Sequence, residues 1–388
     1  MVTAVQPRLQ IDTTAPTPVA VRLPALEHLG PNWYAAVMGT AVVGTAGVGL
    51  PLDVPGLTAA CTAVWALSAV LLAALLTART THWILHRDQA RAHLLDPSVA
   101  PFYGCLSMAL LAVGIGTLTV GRGVIGEHTA VPVAFALFAA GTAVGLTAAV
   151  AVPCLMVVRH RVSPGGASPV WLLPVVAPMV SASFGPLLVP YLPAAGQWRE
   201  TMLLASYALF GISLLATLLI LPVVIARLLH HGPLPLALTP ALFLVLGPLG
   251  QSTTAVSKLA DIAPGAIQAP YAAGLAALAV VYGVPVMGFA LLWLALAGAM
   301  VLRAARHGMR FSLSWWAFTF PVGTCVTGAG ALAHHTGLVV YEWLAVVLYV
   351  FLVAAWAVAG LLTLRGLLRG ELLAAPRDVR PDAGEPMP

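Results

Sequence analysis

The sequence is poor in charge for its length. Only 8% of its 388 residues are Asp, Glu, Lys or Arg, whereas 60% are hydrophobic. Soluble proteins carry about 25% charged residues, so this composition excludes a soluble globular protein and indicates a polytopic membrane protein. Lys258 is the only lysine, and arginines supply the rest of the positive charge behind the formal net charge of +5. In a membrane protein such an excess belongs to cytoplasmic loops, so we expect the lipid bilayer and no nucleic acid as a partner.

Cysteine is also scarce. Cys61, Cys105, Cys154 and Cys325 lie one to an apolar segment, without the spacing of metal ligands or of a disulfide framework. Isolated cysteines in apolar segments are typical of small core residues. We therefore predict four core cysteines.

Titratable residues are missing from the middle of every apolar segment. Proton relays and redox chemistry inside a bilayer need titratable groups or ligands, so this absence disfavours an enzyme or a proton pump. The sequence also has no phosphate-binding loop and no nucleophile motif. We expect no catalytic residue, no cofactor and no metal.

Ten apolar stretches are long enough to cross a bilayer as helices. They cover residues 31–50, 57–78, 101–120, 131–157, 168–190, 201–225, 238–255, 271–302, 312–333 and 341–364. Helices are required because an open sheet leaves backbone groups unsatisfied in lipid. We predict an all-α membrane domain over residues 31–369, between a flexible, proline-rich tail at 1–30 and a second tail at 370–388.

The distribution of lysine and arginine predicts the orientation of these spans. With the N terminus inside, the loops and tails on that side hold 15 of these residues and the opposite side holds 3. The positive-inside rule places both termini in the cytoplasm, and we expect a multi-pass protein of the plasma membrane.

The odd-numbered spans recur at a regular interval. Their starts are 68 to 72 residues apart, which indicates five helical hairpins in series. These spans are richer in Gly, Ser, Thr and Pro than the even-numbered spans. Because small and hydroxylated residues permit close helix packing and bind polar solutes, we expect odd helices inside, around a central pore, and even helices outside.

Each inner span also has a glycine or a proline near its middle. Such breaks are tolerated where the freed carbonyls meet protein or a wet cavity, so five of them favour a pore. The candidate pore-lining residues are Gly44, Gly114, Pro178, Ser181, Pro248, Gln251, Pro321, Thr324 and Thr327. The alternative is that glycine and proline are simply common in membrane helices.

The stretch at 247–254, GPLGQSTT, offers a run of side-chain donors after its proline. These donors either line the pore or mark a helix end near the outer interface. Lys258, close to Asp261, either attracts anions at the outer mouth or is an ordinary solvated charge.

The ninth span, which begins within FSLSWWAFTFPVGT at 311–324, places serine, threonine and proline where a lipid-facing helix has leucine. Pro321 removes a backbone donor and clashes with the preceding turn, so we predict a kink next to Phe320. At about 100° per residue, Phe320 and Thr324 share one helical face, whereas Phe318 points about 200° away from Phe320. At most one of the two rings faces a pore.

Three histidines, His82, His86 and His93, lie in a predicted cytoplasmic loop. The first two have the i, i+4 spacing that can chelate a metal on a helix. The absence of an HExxH motif and of a convergent carboxylate favours an interfacial segment near lipid headgroups. Histidine pairs at other predicted membrane edges have the same interpretation: His230, His231, His334 and His335.

Four motifs carry a resemblance to a known family. They are PNWYAAVMGT at 31–40, WLLPVVAPMVSAS at 171–183, GPLGQS at 247–252 and WWAFTFPVGT at 315–324. Together they resemble the tellurite-resistance and dicarboxylate transporter family, which includes malate permeases, sulfite efflux pumps and slow anion channels. The resemblance implies ten helices in five hairpins, inner odd-numbered helices, a homotrimer, and a phenylalanine of the ninth helix that occludes the pore.

Phe320 is the position that matches this gate, with Phe318 as the second choice. The predicted function is passage of small anions, of the C4-dicarboxylate or sulfite type, through a pore that Phe320 closes. Two alternatives stay open: a proton-coupled dicarboxylate carrier, and a membrane enzyme or metal-handling protein that uses His82 and His86.

Overall fold

The computed structural model describes residues 29–52, 54–370 and 372, and these residues form helices and connecting turns without a strand. The predicted tails at 1–30 and 370–388 lie almost entirely outside the described residues. The all-α prediction is confirmed for the described part of the chain.

Ten long helices follow one another in the described part of the chain. They are α1 (Tyr34–Val48), α2 (Leu57–Leu85), α3 (Tyr103–Gly116), α4 (Glu127–Val158), α5 (Leu172–Leu188), α6 (Trp198–His231), α7 (Leu246–Ile262), α8 (Ala269–Arg306), α9 (Phe320–Thr336) and α10 (Val339–Leu368). With the turns that flank them, α2 to α10 are long and apolar enough to cross a membrane, which makes nine candidate spans among the described residues. Helix α1, of 15 residues, is not one of them. The turn before it, Pro31–Trp33, contains the polar Asn32, which lowers the hydropathy of this segment.

Every odd-numbered helix begins with a 3₁₀ segment. These segments are Pro31–Trp33, Ala100–Phe102, Pro169–Trp171, Leu236–Val245 and Leu313–Phe318. Proline occupies the first or second position of three of the five, and Pro240 lies inside a fourth. Its fixed φ angle and missing N–H group suit the first turn of a helix, where the N–H groups have no partner within the helix. The predicted repeat of the odd-numbered helices therefore has a structural counterpart.

Burial separates the odd-numbered from the even-numbered helices. In α3, α5, α7 and α9 with their flanking turns, 78–94% of the most apolar stretch is buried, against 22–33% in the even-numbered helices. All but two of the 15 residues of α1 are buried as well. The odd-numbered helices thus form an inner layer and the even-numbered helices an outer layer.

The outer layer exposes large aliphatic side chains. Leu219 of α6 and Val281 of α8 are 75% and 74% exposed, as expected for a surface that faces lipid. Cys154 of α4 is exposed too, whereas the other three cysteines are buried. The prediction of four core cysteines is therefore wrong for Cys154, because the polarity of a small residue does not reveal which side of an outer helix it occupies.

The inner helices contact one another in sequence. Helix α1 packs against α3, α3 against α5, α5 against α7 and α7 against α9, and α9 returns to α1. Each outer helix packs against the inner helix that precedes it and against the next one. The inner helices therefore enclose a central space.

Tryptophan side chains connect the two layers by hydrogen bonds. Trp356 of α10 donates to Thr40 of α1 over 3.1 Å, and Trp293 of α8 donates to the carbonyl of Leu242 over 2.9 Å. Trp316, just before α9, donates to Thr363 of α10 over 3.0 Å. An indole N–H buried without a partner would destabilise the fold, so these bonds stabilise the contacts that Trp293, Trp316 and Trp356 make between the layers.

A glycine permits a close approach of two backbones within the inner layer. A Cβ atom on Gly250 of α7 would lie 2.5 Å from the backbone nitrogen of Cys325 and from the backbone carbon of Thr324, both on α9. Backbone cannot move aside as a side chain can, so a side chain at this position is incompatible with the packing of α7 on α9.

Candidate functional site

A cavity of about 630 Å³ lies between the five inner helices. Each of them contributes to its wall, for example through Val42, Ala112, Ser183, Gln251 and Thr327. Among the described residues, none that lines the cavity comes from an outer helix. The enclosed space of the inner layer is therefore a cavity that all five repeats build together.

The mouth of the cavity lies at the C-terminal ends of the inner helices. Arg122 follows α3, Tyr191 follows α5, Asp261 is in the last turn of α7, and His334 and His335 are in the last turns of α9. Arg122 donates to the Tyr191 hydroxyl over 2.9 Å. Charged and titratable groups are thus gathered at the mouth, while the deeper wall is neutral.

Phe320 lies at the opposite, closed end. Its side chain is only 4% exposed and lines both the main cavity and a separate void of about 10 Å³ on its far side. Apolar residues from the N-terminal halves of the inner helices surround that void, among them Met38, Met108 and Val176. Phe320 therefore lines both the main cavity and the void.

The backbone places this ring at a change of helix type. The 3₁₀ segment ends at Phe318, Thr319 leaves helical geometry with φ −97° and ψ −80°, and α9 begins at Phe320. Pro321 is in the first turn of α9, where its missing N–H costs no hydrogen bond. The predicted proline kink inside one helix is thus replaced by a break one residue before Phe320.

Phe318 occupies a different environment. Its ring stands edge-on to Phe243, with 4.8 Å between centroids, and to Trp315, with 5.8 Å between centroids. Phe243 belongs to the 3₁₀ segment before α7. Phe318 thus packs between neighbouring segments and does not line the cavity.

Polar side chains of the deeper wall are paired across helices. Gln251 of α7 donates through Nε2 to the hydroxyl of Ser183 on α5. The hydroxyls of Thr254 on α7 and Thr327 on α9 are 2.8 Å apart. All four residues line the cavity. They present neutral hydrogen-bonding groups to anything that enters it.

Of the nine residues that the sequence predicts as pore-lining, Gln251 and Thr327 line the main cavity and Pro321 lines the small void. The other six are absent from both walls: Gly44, Gly114, Pro178, Ser181, Pro248 and Thr324.

Contacts with neighbouring helices explain these displacements. A Cβ atom on Gly44 would lie 2.9 Å from the Cys61 carbonyl of α2. Ser181 accepts a hydrogen bond from Thr142 of α4 over 2.9 Å. The hydroxyl of Thr324 lies 3.3 Å from the carbonyl oxygen of Gly247 on α7, and it also donates to the Pro321 carbonyl of its own helix over 2.6 Å.

The remaining three residues also face protein. A Cβ atom on Gly114 would meet the ring of Phe184 at 2.7 Å, Pro178 is buried within α5, and Pro248 lines a separate hollow shared with α6 and α8. An inner helix has two buried faces, one toward the cavity and one toward the outer layer. Small or hydroxylated residues occur on both faces, so their presence does not identify the face that lines the cavity.

Several residues of the cavity are absent from the sequence-based set. Ser183, Arg122, His334 and His335 all line it. The repeat contains a signal for the last three, because each lies at the C-terminal end of an inner helix, where the repeats converge. Ser183 has no such signal, since Ser181, two residues earlier, is polar in the same way and faces α4.

The three loop histidines gather away from the cavity. His82 lies within α2, which continues to Leu85, and its side chain is fully buried. Its ring is 5.5 Å from that of His93, stacked within 11° of parallel, and 5.8 Å from that of His86. The predicted loop position is thus wrong for His82, because α2 extends past the apolar stretch and a short helix packs on it, whereas its place near the lipid headgroups stays a prediction.

Comparisons with known proteins agree with this architecture. Residues 28–364 match the family described as voltage-dependent anion channel. The chain is 25% identical to an uncharacterized transporter of Methanocaldococcus jannaschii, over 90% of this chain and 97% of that protein. It is 26% identical to sulfite efflux pumps of Arthroderma otae and Trichophyton rubrum, over 87% of this chain and 91% of each pump. The family match spans all ten long helices except the last four residues of α10, and the chain therefore belongs to the voltage-dependent anion channel family of multi-pass membrane proteins.

Proposed function

We propose that the chain conducts small anions across the membrane through the cavity between its inner helices. In this proposal all ten helices span the bilayer as five hairpins, and α1, although short, completes the pore wall. The observation that carries the proposal is that all five inner helices, and no outer helix of the described chain, line the cavity.

The chemistry of the wall favours anions in transit. Gln251, Ser183, Thr254 and Thr327 offer amide and hydroxyl donors that can replace part of the hydration shell of an anion. No lysine or arginine lies in the deeper wall, so an anion does not meet a fixed countercharge that would hold it there. Weak, neutral donors suit passage better than tight binding.

Sulfite and C4-dicarboxylates are the proposed substrate class. The named relatives include sulfite efflux pumps, which supports sulfite as the first anion to test. The resemblance of the sequence to malate permeases supports dicarboxylates as the second. A flux assay over sulfite, malate, succinate, nitrate and chloride ranks them directly.

Phe320 is the proposed gate, because it lines both the main cavity and the void behind it. In Phe320→Ala the barrier should fall by at least about 1.4 kcal/mol, which is a tenfold rise in anion flux into reconstituted vesicles. Phe318→Ala is the matched control, since it removes a ring of the same size from the same segment outside the cavity. Equal flux in wild type and Phe320→Ala would refute the gate.

A proton-coupled carrier is the second candidate, favoured by the titratable Asp261, His334 and His335 at the mouth. Its signature is anion uptake that collapses when an uncoupler is added while the membrane voltage is clamped. Uptake that persists under those conditions supports a channel.

The proposal also includes the setting of the protein in the cell. The charge distribution of the loops favours a plasma-membrane protein with both termini in the cytoplasm. The mouth, at the C-terminal ends of the inner helices, then faces outward. A homotrimer follows from the family resemblance, and the mass of the detergent-solubilised protein tests it.

A further inference from the structure

The mouth of the cavity carries a cluster of three potential metal ligands. Asp261 extends from the end of α7, and His334 and His335 extend from the end of α9. One ligand atom from each residue lies within 4.8 Å of the other two. Two histidines and one carboxylate from two different helices thus converge on one point.

The distances fit a bound ion. Nε2 of His335 is 3.1 Å from Oδ1 of Asp261, and Nδ1 of His334 is 3.9 Å from the same oxygen. Ligand atoms about 2.0–2.2 Å from a tetrahedral Zn²⁺ are themselves about 3.3 Å apart. Small side-chain rotations would place the three atoms at that separation, without any movement of the helices.

The buried nitrogen of His335 supplies a second observation. Its side chain is 16% exposed, and Nε2 makes no hydrogen bond of acceptable geometry within the described part of the chain, although it faces Oδ1 of Asp261. The side chain of His334 is 77% exposed, and its ring stands edge-on to that of His335, with 5.4 Å between centroids. A buried nitrogen that lacks a well-aligned hydrogen bond and lies 3.1 Å from a carboxylate oxygen is placed to bind a cation together with that oxygen.

Lys258 disfavours the binding of a cation at this cluster, because its ammonium group is positively charged. Its Nζ lies 3.4 Å from Oδ2 of Asp261, whereas the two histidines approach Oδ1. The ammonium group therefore uses the other carboxylate oxygen and leaves Oδ1 to the imidazoles. Its side chain is 39% exposed, so it can turn into solvent when an ion binds.

We propose that Asp261, His334 and His335 bind a divalent transition-metal ion, with Zn²⁺ as the probe, and that the bound ion lowers anion flux. Imidazole with carboxylate suits Zn²⁺ and similar ions, whereas Mg²⁺ and Ca²⁺ prefer sites made of oxygen alone. Three protein ligands leave a fourth position open, where a passing anion can bind to the ion and be held. The effect on flux rests on the proposed function, but binding of the ion does not.

Direct titration of Zn²⁺ into the purified full-length chain, with its affinity tag removed, measures the site without any transport. We expect one ion per chain. Asp261→Asn and His335→Ala should each weaken binding at least about tenfold, and neither Mg²⁺ nor Ca²⁺ should compete. His128→Ala, which removes an exposed histidine outside the cluster, is the control and should leave binding unchanged.

Lys258→Gln gives the sharper test, because it should strengthen binding. Removing one positive charge about 6 Å from a divalent ion should raise affinity about threefold to tenfold in a water-like medium. A gain of affinity cannot come from a misfolded variant. If one-to-one binding is absent below about 100 µM, or if Asp261→Asn and Lys258→Gln both bind as the wild type does, the site is refuted.

Zn²⁺ added on the mouth side of vesicles should reduce anion flux by more than half in wild type, and not in Asp261→Asn. If Zn²⁺ binds and flux is unchanged, the inhibitory role is refuted. If the wild type conducts no anion at all, the proposed function fails while the binding result stands.

Discussion

In this protein the more hydrophobic helices are the exposed ones, whereas in a soluble protein they are the buried ones. The outer helices are the more hydrophobic ones, yet they are 22–33% buried in their most apolar stretches, against 78–94% for the inner helices α3, α5, α7 and α9. In water the most hydrophobic elements would form the core. In lipid the exposed surface carries the largest aliphatic residues, and close packing of small residues holds the interior together.

The two layers should therefore respond differently to the same substitution. The largest difference is expected for Gly→Leu. At Gly250 of α7 any Cβ atom meets the backbone of α9 at 2.5 Å, whereas the surroundings of Gly274 on outer helix α8 are open. Gly250→Leu should cost more than about 3 kcal/mol and prevent isolation of a monodisperse protein, while Gly274→Leu should behave as wild type. Size-exclusion profiles of both variants test this prediction. Equal profiles would contradict the close packing of α7 on α9 at Gly250.

Removal of a large side chain should give the next largest difference. Leu332 of α9 is fully buried and Leu219 of α6 is 75% exposed. Leu332→Ala should lower the free energy of unfolding by about 2–5 kcal/mol, because it leaves a cavity. Leu219→Ala should change it by less than about 0.5 kcal/mol. Thermal unfolding in detergent measures both, and a comparable loss for Leu219→Ala would mean that this face is covered in the native protein.

Loss of a hydroxyl should change anion flux when it is on an inner helix and not when it is on an outer helix. Thr254 of α7 pairs with Thr327 in the cavity wall, whereas Thr147 of α4 is exposed and donates only to the Ala143 carbonyl of its own helix. Thr254→Val should reduce anion flux about fivefold, near 1 kcal/mol of barrier, and Thr147→Val should leave it unchanged. Flux into vesicles at matched protein density is the measurement. An unchanged flux in Thr254→Val would mean that Thr254 and Thr327 do not line the anion pathway.

The smallest effect is expected at the contact between the layers. Trp356 of α10 donates to Thr40 of α1, whereas Trp343 of the same helix is 60% exposed. Trp356→Phe should cost about 0.6 kcal/mol, the usual contribution of one hydrogen bond between membrane helices. Trp343→Phe is the control for the loss of an indole. A difference in melting temperature between the two variants supports the bond, and identical values would contradict it.

The sequence alone predicts most of the architecture, because its signals are long and repeated. Ten apolar stretches, starts about 70 residues apart and the contrast in small residues between alternate spans all have counterparts in the helices and in their burial. The exception is α1, a helix of 15 residues that follows a polar 3₁₀ turn and is not a candidate span. Average composition therefore predicts layers well and individual span lengths less well.

The lining of the cavity is harder to predict, because the chemistry of a residue does not tell which buried face it occupies. Ser181 and Ser183 are two residues apart on α5 and equally polar. Ser181 pairs with Thr142 of the outer layer, and Ser183 pairs with Gln251 in the cavity. Only the rotation of α5 between its neighbours distinguishes them, and that rotation is set by packing against α4 and α7.

The parallel arrangement of the inner helices has an electrical consequence. Five C-terminal ends meet at the mouth, and five N-terminal halves meet behind Phe320. Each helix carries about half a negative charge at its C-terminal end and half a positive charge at its N-terminal end. In the proposed pathway, an anion that enters the mouth moves from the negative toward the positive ends of five aligned dipoles, while Arg122 and Lys258 offset the repulsion at the start. The protein is therefore expected to rectify, passing current more easily in one direction than in the other at equal and opposite voltages.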